Sequence, residues 1–202
     1  MMQSKTLFPV ILPVPKQSIR AAGREKTRAL SRLARQAVMV SAEKSGVRLN
    51  EIKKDENGVP RPSGGTHWSL SHKERYVCAV AAPQEIGIDI EAVQPRSERL
   101  FKKIADETEW HLAGDPRWRV FFRYWTAKEA TLKATGSGLS GLSDCRIEKV
   151  IDEYRLTVFH RGRLWGIEHT FFNSHIASVV TNGCQVEWCI MSDPGTPMTG
   201  GH

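Results

Sequence analysis

Apolar residues along the chain follow two spacings, and each spacing predicts one kind of element. Apolar side chains three and four apart predict a helix over about 24–45, and similar patterns predict helices over 98–112 and 117–134. Gly136 is placed to cap the last of these helices. Short runs rich in β-branched and aromatic residues predict strands over 7–12 (as an edge strand), 67–71, 76–82, 86–91, 155–160, 164–172, 175–181 and 186–191.

These elements fall into two rounds, each with helices followed by strands. The strands over 67–71, 76–82 and 86–91 are joined by short turns, which favours an antiparallel meander. The pattern as a whole predicts an α+β protein with two similar halves. We place the N-terminal half at 1–93, the C-terminal half at 94–191, and a disordered, Gly/Pro-rich tail at 192–202.

Charge adds a preference for anionic partners. The chain has 202 residues, 40% of them apolar, and a net charge of +7. Residues 16–53 hold ten basic side chains against three Glu, so this region carries much of the excess charge. Such a surface suits a nucleic acid, an acidic protein, a membrane surface or a phosphorylated small molecule, although a merely solvated basic face has the same composition.

Two observations favour a cytoplasmic protein without a membrane segment. No apolar run approaches the roughly 20 residues that a membrane span needs. The four cysteines form no CxxC pair and match no zinc spacing, which favours reduced thiols.

Candidate chemistry begins with the segment Gly87–Glu91. On a strand, Asp89 and Glu91 leave the same face of the sheet, with Gly87, while Ile88 and Ile90 face the core. Two neighbouring carboxylates repel unless a cation or solvent compensates them, and magnesium prefers oxygen ligands. An ordinary strand with a polar face gives the same pattern.

The helix predicted over 117–134 supplies a third carboxylate. Trp125, Glu129 and Lys133 are four residues apart and therefore project from nearly one face. An exposed Glu129–Lys133 ion pair, worth about 0.3–0.5 kcal/mol, is the alternative interpretation. Ser71 and His72 end a strand and offer a hydroxyl and an imidazole to a phosphate.

Three motifs in one order carry a family resemblance. The segments SLSH (69–72), GIDIE (87–91) and WTAKEATLKATG (125–136) together resemble the 4′-phosphopantetheinyl transferases of the longer, surfactin-synthetase-activating type. The resemblance implies transfer of phosphopantetheine from coenzyme A to a serine of an apo carrier protein, with release of 3′,5′-ADP. It also implies a monomer whose pseudo-twofold halves hold the active site between them, and a magnesium cofactor, with manganese as an alternative.

The same resemblance assigns roles to individual residues. It implies that Asp89, Glu91 and Glu129 bind the metal, that Glu129 is the base for the serine hydroxyl, and that Lys133 assists the leaving group. The residues that it implies for coenzyme A are Arg24, Arg32, Ser71, His72, Lys128 and Lys133.

One position departs from the family pattern. Many relatives have a lysine before the proline of the Gly-x-Pro turn, where this chain has Val59. Lys53, Lys54 and Arg61 are the candidates to replace it.

Two other classes of function stay open from the residues alone. A nucleic-acid-binding module fits the charge, but residues 16–53 contain no aromatic side chain on which bases stack. A magnesium-dependent phosphohydrolase would use the same carboxylates with water as the nucleophile. The predicted partners are coenzyme A and an acidic carrier protein, without nucleic acid or membrane.

Overall fold

The computed structural model describes residues 6–20, 22–114 and 117–191. The helices are α1 (Lys16–Arg20), α2 (Gly23–Lys44), α3 (Phe101–Ile104), α4 (Glu107–His111) and α5 (Trp118–Thr135), with 3-10 turns at Glu98–Leu100 and Leu139–Asp144. The strands are β1 (Thr6–Leu7), β2 (Val10–Pro13), β3 (His67–Lys73), β4 (Tyr76–Ala82), β5 (Ile88–Ala92), β6 (Arg146–Val150), β7 (Arg155–His160), β8 (Arg163–Phe172), β9 (His175–Val180), β10 (Gln185–Val186) and β11 (Cys189–Ile190). The predicted tail, 192–202, lies outside the described residues.

Antiparallel sheets and packed helices confirm the α+β class. One sheet has the order β11-β2-β4-β3, with only the β11–β2 pair parallel. The larger sheet has the order β5-β9-β8-β7-β6 and is antiparallel throughout. A short parallel pair, β1–β10, lies beside them.

The predicted meander is wrong for its third strand. β3 and β4 form a hairpin, but β5 leaves it and pairs with β9 in the other sheet. The N-terminal edge strand is also corrected, because β2 lies between β4 and β11. The segment predicted as one strand over 186–191 is two short strands in different sheets. Both β5 and β2 pair with strands that follow residue 93, so the boundary between the two halves stays a prediction.

β4 lies between two hydrophobic cores, which explains its unbroken apolar run. Its residues 77, 79 and 81 pack with α2 in one core. Its residues 78, 80 and 82 pack in the other core, together with β5 and α5. The strand is therefore buried on both faces, and the β3–β4 hairpin is held against β5.

The long helices have the predicted positions, and the helix predicted over 98–112 is broken. Asp106 accepts a hydrogen bond from the Glu109 backbone N–H, and the Glu109 carboxylate accepts one from the Asp106 N–H. This reciprocal cap starts a new helix at Glu107, after an extended residue at Ala105. No helix among the described residues has both the length and the apolar character of a membrane span.

Candidate active site

Helix α5 is the main element of the site, and its end is defined by Gly136. Gly136 has φ of 66° and a left-handed conformation, and its N–H donates to Leu132 O. The predicted C-cap is therefore confirmed. Phe121, Phe122 and Tyr124 are buried in the core and fix the rotation of the helix. Because of that rotation, Glu129 and Lys133 lie on the side facing β5.

Gly87 allows α5 to approach β5 very closely. A Cβ atom at Gly87 would lie 1.8 Å from the carbonyl oxygen of Ala130, so only glycine fits. Asp89 and Glu91 share the face of Gly87, while Ile88 and Ile90 are buried at 0% and 1% exposure in the core. The predicted split of this strand into an apolar and a functional face thus agrees with the burial.

Asp89 is the centre of the polar contacts between the two elements. Its Oδ1 accepts hydrogen bonds from Lys133 Nζ at 2.6 Å and from Ser71 Oγ at 2.8 Å. Lys133 Nζ also donates to Ile88 O at 3.2 Å. The second oxygen, Asp89 Oδ2, is buried and has no hydrogen-bond partner in the described part of the chain. A buried carboxylate oxygen without a partner is costly, so this atom marks a place for a ligand.

Strand β3 contributes a row of side chains to β5. Ser69 Oγ accepts from the Ile88 N–H at 3.2 Å, and Ser71 Oγ donates to Asp89. Lys73 Nζ lies 2.7 Å from Glu91 Oε2, in an ion pair without hydrogen-bond geometry. Ser71 therefore lies in the predicted site, and Lys73 is a site residue that the motifs did not reveal.

The carboxylates of this site influence one another. Burial, and next the charge of Asp89, raise the pKa of Glu129 to about 7, while Lys133 opposes this shift and Glu91 adds to it. Burial also raises the pKa of Glu91, against the opposing effect of Lys73. Burial lowers the pKa of Lys133, but its contact with Asp89 outweighs this and raises it overall. Asp89, Glu91 and Glu129 thus lie within electrostatic reach of one another.

A group of basic side chains adjoins the carboxylates. Burial, and then the charges of Lys133, Lys54 and Lys73, lower the pKa of His72. Burial, followed by Lys133 and Arg35, lowers the pKa of Lys54. The basic groups Lys54, Lys73, Lys133 and Arg35 therefore lie within electrostatic reach of His72 or of one another, which favours an anion among them. At neutral pH His72 is mostly uncharged and offers a donor or an acceptor.

The turn around Val59 brings Lys54 to this group. Asp55 Oδ1 accepts from the Val59 N–H at 2.8 Å, and Lys54 is paired with Pro60 across the hairpin. Val59 itself packs against the end of α5, since a Cβ on Gly136 would lie 3.3 Å from Val59 Cγ1. Lys53 instead forms an exposed ion pair with Glu51 at 2.6 Å.

Arg24 and Arg32 lie on α2, and their side chains are exposed. Arg32 lines a surface groove of about 800 Å³ along this helix, together with Arg28 and Arg35. Arg24 lies two turns earlier on the same helix and does not line the groove.

The structure corrects the prediction for Lys128. Its side chain is 2% exposed, and its Nζ lies 2.6 Å from Glu109 Oε1 and donates to Ile104 O at 2.5 Å. Lys128 lies five residues before Lys133, which turns it about 140° around the helix, away from β5. It therefore cannot contact a phosphate at this site and instead anchors α4 to α5.

The carboxylates of this site could hold a magnesium ion only together with water or substrate oxygens. Among the described residues, no group of three or more His, Cys, Asp or Glu side chains forms a ready-made metal site. However, Asp89 Oδ2 has no hydrogen-bond partner among the described residues, and burial together with the neighbouring carboxylates raises the pKa of Glu91 and of Glu129, so a cation would stabilise their ionised forms. Magnesium commonly takes one or two protein carboxylates and completes its shell with water and substrate phosphates. The residues present fit such a site.

Comparison with known protein families gives a match to the part of the chain that contains β5 and α5. Residues 85–180 match the sequence model of the 4′-phosphopantetheinyl transferase superfamily. This match confirms the resemblance for the part of the chain that holds the GIDIE and WTAKEATLKATG motifs, and the SLSH motif at 69–72 lies before the matched range.

Individual relatives carry the same name. The 4′-phosphopantetheinyl transferase HetI of Nostoc sp. is 35% identical over 116 residues, 50% of this chain and 49% of the relative. The 4′-phosphopantetheinyl transferase Sfp of Bacillus subtilis is 37% identical over 78 residues, 37% of this chain and 35% of the relative. A putative 4′-phosphopantetheinyl transferase of Haemophilus influenzae is 28% identical over 161 residues, 73% of this chain and 67% of the relative. The chain thus spans about half or less of the length of HetI and Sfp.

Proposed function

We propose that this protein transfers 4′-phosphopantetheine from coenzyme A to a serine of an apo carrier protein and releases 3′,5′-ADP. The proposal rests on two adjacent groups of charged side chains, one acidic and one basic. Carboxylates from β5 and α5 adjoin a basic group from β3, α5 and the Val59 turn, with Lys133 shared by both. This pattern suits a diphosphate and an activated hydroxyl held side by side.

Glu129 and Lys133 would take the catalytic roles. A carboxylate with a pKa of about 7 is half deprotonated near neutral pH, which suits a general base for the serine hydroxyl. Lys133 keeps its proton because Asp89 raises its pKa, so it can neutralise or protonate the departing phosphate.

The cation in this proposal is magnesium, with manganese as the alternative. Asp89, Glu91 and Glu129 would hold it, and Asp89 Oδ2 and Glu91 Oε2 are buried oxygens without a hydrogen-bond partner among the described residues. When bound, such an ion stabilises negative charge on the diphosphate. Lys133 and Lys73 already neutralise part of the carboxylate charge in the free protein.

The nucleotide end of coenzyme A would lie on the basic side. Ser71 and His72 would contact its phosphates, and Arg24 and Arg32 on α2 would reach the 3′-phosphate. Lys54 takes the role of the lysine that is absent at Val59, because it pairs across the same turn and is repelled by Lys133 and Arg35. Lys53 is not assigned this role, because its Nζ pairs with Glu51 at the exposed surface and no contact joins it to the site among the described residues.

The proposed carrier is acidic, as the net charge of +7 favours. We further propose a monomer in which residues 1–93 and 94–191 form pseudo-twofold halves around the site. β5 would then be the strand by which the first half delivers Asp89 and Glu91 to α5 of the second.

The test is a transfer assay. The protein is incubated with coenzyme A, magnesium and a panel of apo carrier proteins at fixed salt, and each carrier is weighed by intact mass spectrometry. A gain of one phosphopantetheine group supports the proposal. Free phosphopantetheine without carrier modification would indicate a phosphohydrolase, and neither product would exclude both chemistries. Asp89→Asn should abolish transfer, whereas Glu85→Gln, on a 54% exposed side chain, should not.

A further inference from the structure

We propose that a buried hydrogen-bond chain of Thr126, Ser178 and His169 sets the position of Glu129 relative to Asp89. The three side chains are positioning residues that act through α5 and β9; Thr126 lies within the WTAKEATLKATG motif, and Ser178 and His169 lie outside the three motifs. This inference rests on the proposed function for its kinetic test, but its geometry stands independently.

The chain crosses from helix to sheet. Thr126 Oγ1 lies 2.5 Å from Ser178 Oγ, and His169 Nδ1 lies 2.7 Å from the same Ser178 oxygen. Thr126 and Ser178 are 0% exposed and His169 is 2% exposed. Hydrogen bonds in such a dry environment are strong and directional, so they fix geometry more tightly than apolar packing alone.

Counting protons gives the chain a direction. Thr126 Oγ1 donates to Phe122 O at 2.8 Å, so its oxygen accepts from the Ser178 hydroxyl. Ser178 must then accept from His169 Nδ1, which carries the single proton of a neutral ring. In this arrangement His169 Nε2 needs no acceptor, and none is present. The opposite direction would bury an Nε2–H without an acceptor, which is costly.

His169 is suited to remain neutral. Burial, and then the charge of Arg123, lower its pKa well below the usual value. The direction of the chain therefore stays constant across the pH range in which the enzyme would work.

Two members of the chain, Ser178 and Thr126, adjoin residues of the acidic site. Ser178 is the direct partner of Asp89 in the β5–β9 ladder. Thr126 lies three residues before Glu129, about one helical turn, on the same helix. The contact between their hydroxyl oxygens thus sets the distance between the helix that carries Glu129 and the strands that carry Asp89.

A second close contact between α5 and the sheet lies at Gly87. Gly87, two residues before Asp89, lets the backbone of β5 approach Ala130 O so closely that no Cβ fits. The helix is thus held to β5 at Ala130 and to β9 at Thr126, and Glu129 lies between these two residues in the sequence. Misplacement of a catalytic group by about 1 Å can cost about 100-fold in rate, so two contacts that limit such movement matter for turnover.

Thr131 supplies a matched control. It is 0% exposed on the same helix and donates to Ala127 O at 2.9 Å, as Thr126 does to Phe122 O. No hydrogen bond joins its hydroxyl to the sheet among the described residues. Thr126→Val and Thr131→Val therefore remove the same group from the same kind of helical site, and only the first breaks the chain.

The experiment compares these variants in steady-state transfer. We expect Thr126→Val to lower kcat about 10- to 100-fold while KM for coenzyme A stays within about twofold. Thr131→Val should stay within about twofold in both, and Thr126→Ser, which keeps the hydroxyl, should restore most of kcat. Equal kcat values for the two valine variants, or failure of Thr126→Ser to restore activity, would overturn the inference.

Two further measurements keep the test decisive. If Thr126→Val does not fold, Ser178→Ala removes the same link with less change of shape and should give the same loss in kcat. If the wild type transfers nothing to any carrier, the proposed function fails, and the positioning is tested by Mn²⁺ affinity instead. Thr126→Val should then weaken Mn²⁺ binding several-fold relative to Thr131→Val, and equal affinities would refute the positioning role.

Discussion

Replacement of Glu129 by glutamine should stabilise the free protein while it abolishes transfer. The pKa of Glu129 is raised from 4.5 to about 7, so its ionisation is penalised in the folded state. Each pKa unit corresponds to about 1.4 kcal/mol, which gives a limit of about 3 kcal/mol for the whole shift. Because Glu129 is only partly buried, solvent screening reduces the expected gain to about 1–2 kcal/mol.

The sign of the pH dependence follows from the direction of the shift. Below pH 4.5 the carboxyl is protonated in both the folded and the unfolded chain, so it adds no penalty. Between pH 4.5 and about 7 the unfolded chain releases the proton first, and the folded state loses stability as the pH rises. Glutamine resembles the protonated acid at every pH. The gain from Glu129→Gln should therefore be small at pH 5 and reach its full size near pH 8.

The assay is urea unfolding of both proteins at pH 5 and pH 8, with a chelator present, followed by transfer activity at pH 8. Glu85→Gln, at an exposed carboxylate, is the control and should change neither quantity. Activity of Glu129→Gln should fall at least 100-fold, as expected for the loss of a general base. A gain of equal size at both pH values would trace it to helix propensity, and a loss of stability at pH 8 would refute the electrostatic argument.

Three further predictions use other contacts of the site. Lys54→Gln should raise KM for coenzyme A about 10-fold with little change in kcat, whereas Lys53→Gln should leave both unchanged; equal effects would remove Lys54 from the phosphate site. Lys73→Ala should tighten Mn²⁺ binding about fivefold, measured by calorimetry, because it removes a cation 2.7 Å from Glu91; weaker binding would contradict this. Gly87→Ala should lower the free energy of unfolding by about 3 kcal/mol, since its Cβ would overlap the helix backbone; a well-folded, active variant would show that α5 can shift.

Local patterns in the sequence were enough to predict the main elements of the site. The helical spacing and the glycine after it predict α5 and its C-cap, and alternation predicts that Asp89 and Glu91 share a face. The partner of β5 was not predictable in the same way. A short turn after β4 favours a hairpin, but pairing with β9 depends on a contact about 90 residues away, which no local pattern encodes.

Lys128 shows a second limit. The motif contains Lys128 and Lys133, and helical geometry predicts that they point in different directions. It does not predict which of the two faces the sheet. That choice depends on where Phe121, Phe122 and Tyr124 are buried, which is a property of the packed core. Lys73 was missed for the opposite reason. It stands directly after the serine–histidine pair, and its role appears only when β3 lies against β5.

Two ion pairs of α5, one fully buried and one partly exposed, show how the site differs from ordinary structure. On one side, Lys128 and Glu109 satisfy each other completely, since Glu109 also accepts from Ile147 N at 2.7 Å and Lys128 also donates to Ile104 O. Burying such a pair is tolerable because every polar atom has a partner.

On the β5 side of α5, the charged groups do not balance one another. Asp89 binds Lys133 and Ser71 through one oxygen and leaves the other unpartnered, and Glu129 keeps its pKa near 7 beside two further carboxylates. A fold stabilised only by its own contacts has no reason to keep this excess of negative charge, since a single amide would relieve it. A cation would correct this imbalance and could in turn bind a diphosphate, and for that reason we propose that the chemistry takes place on the β5 side of α5 rather than on the α4 side, where the Lys128–Glu109 pair is balanced.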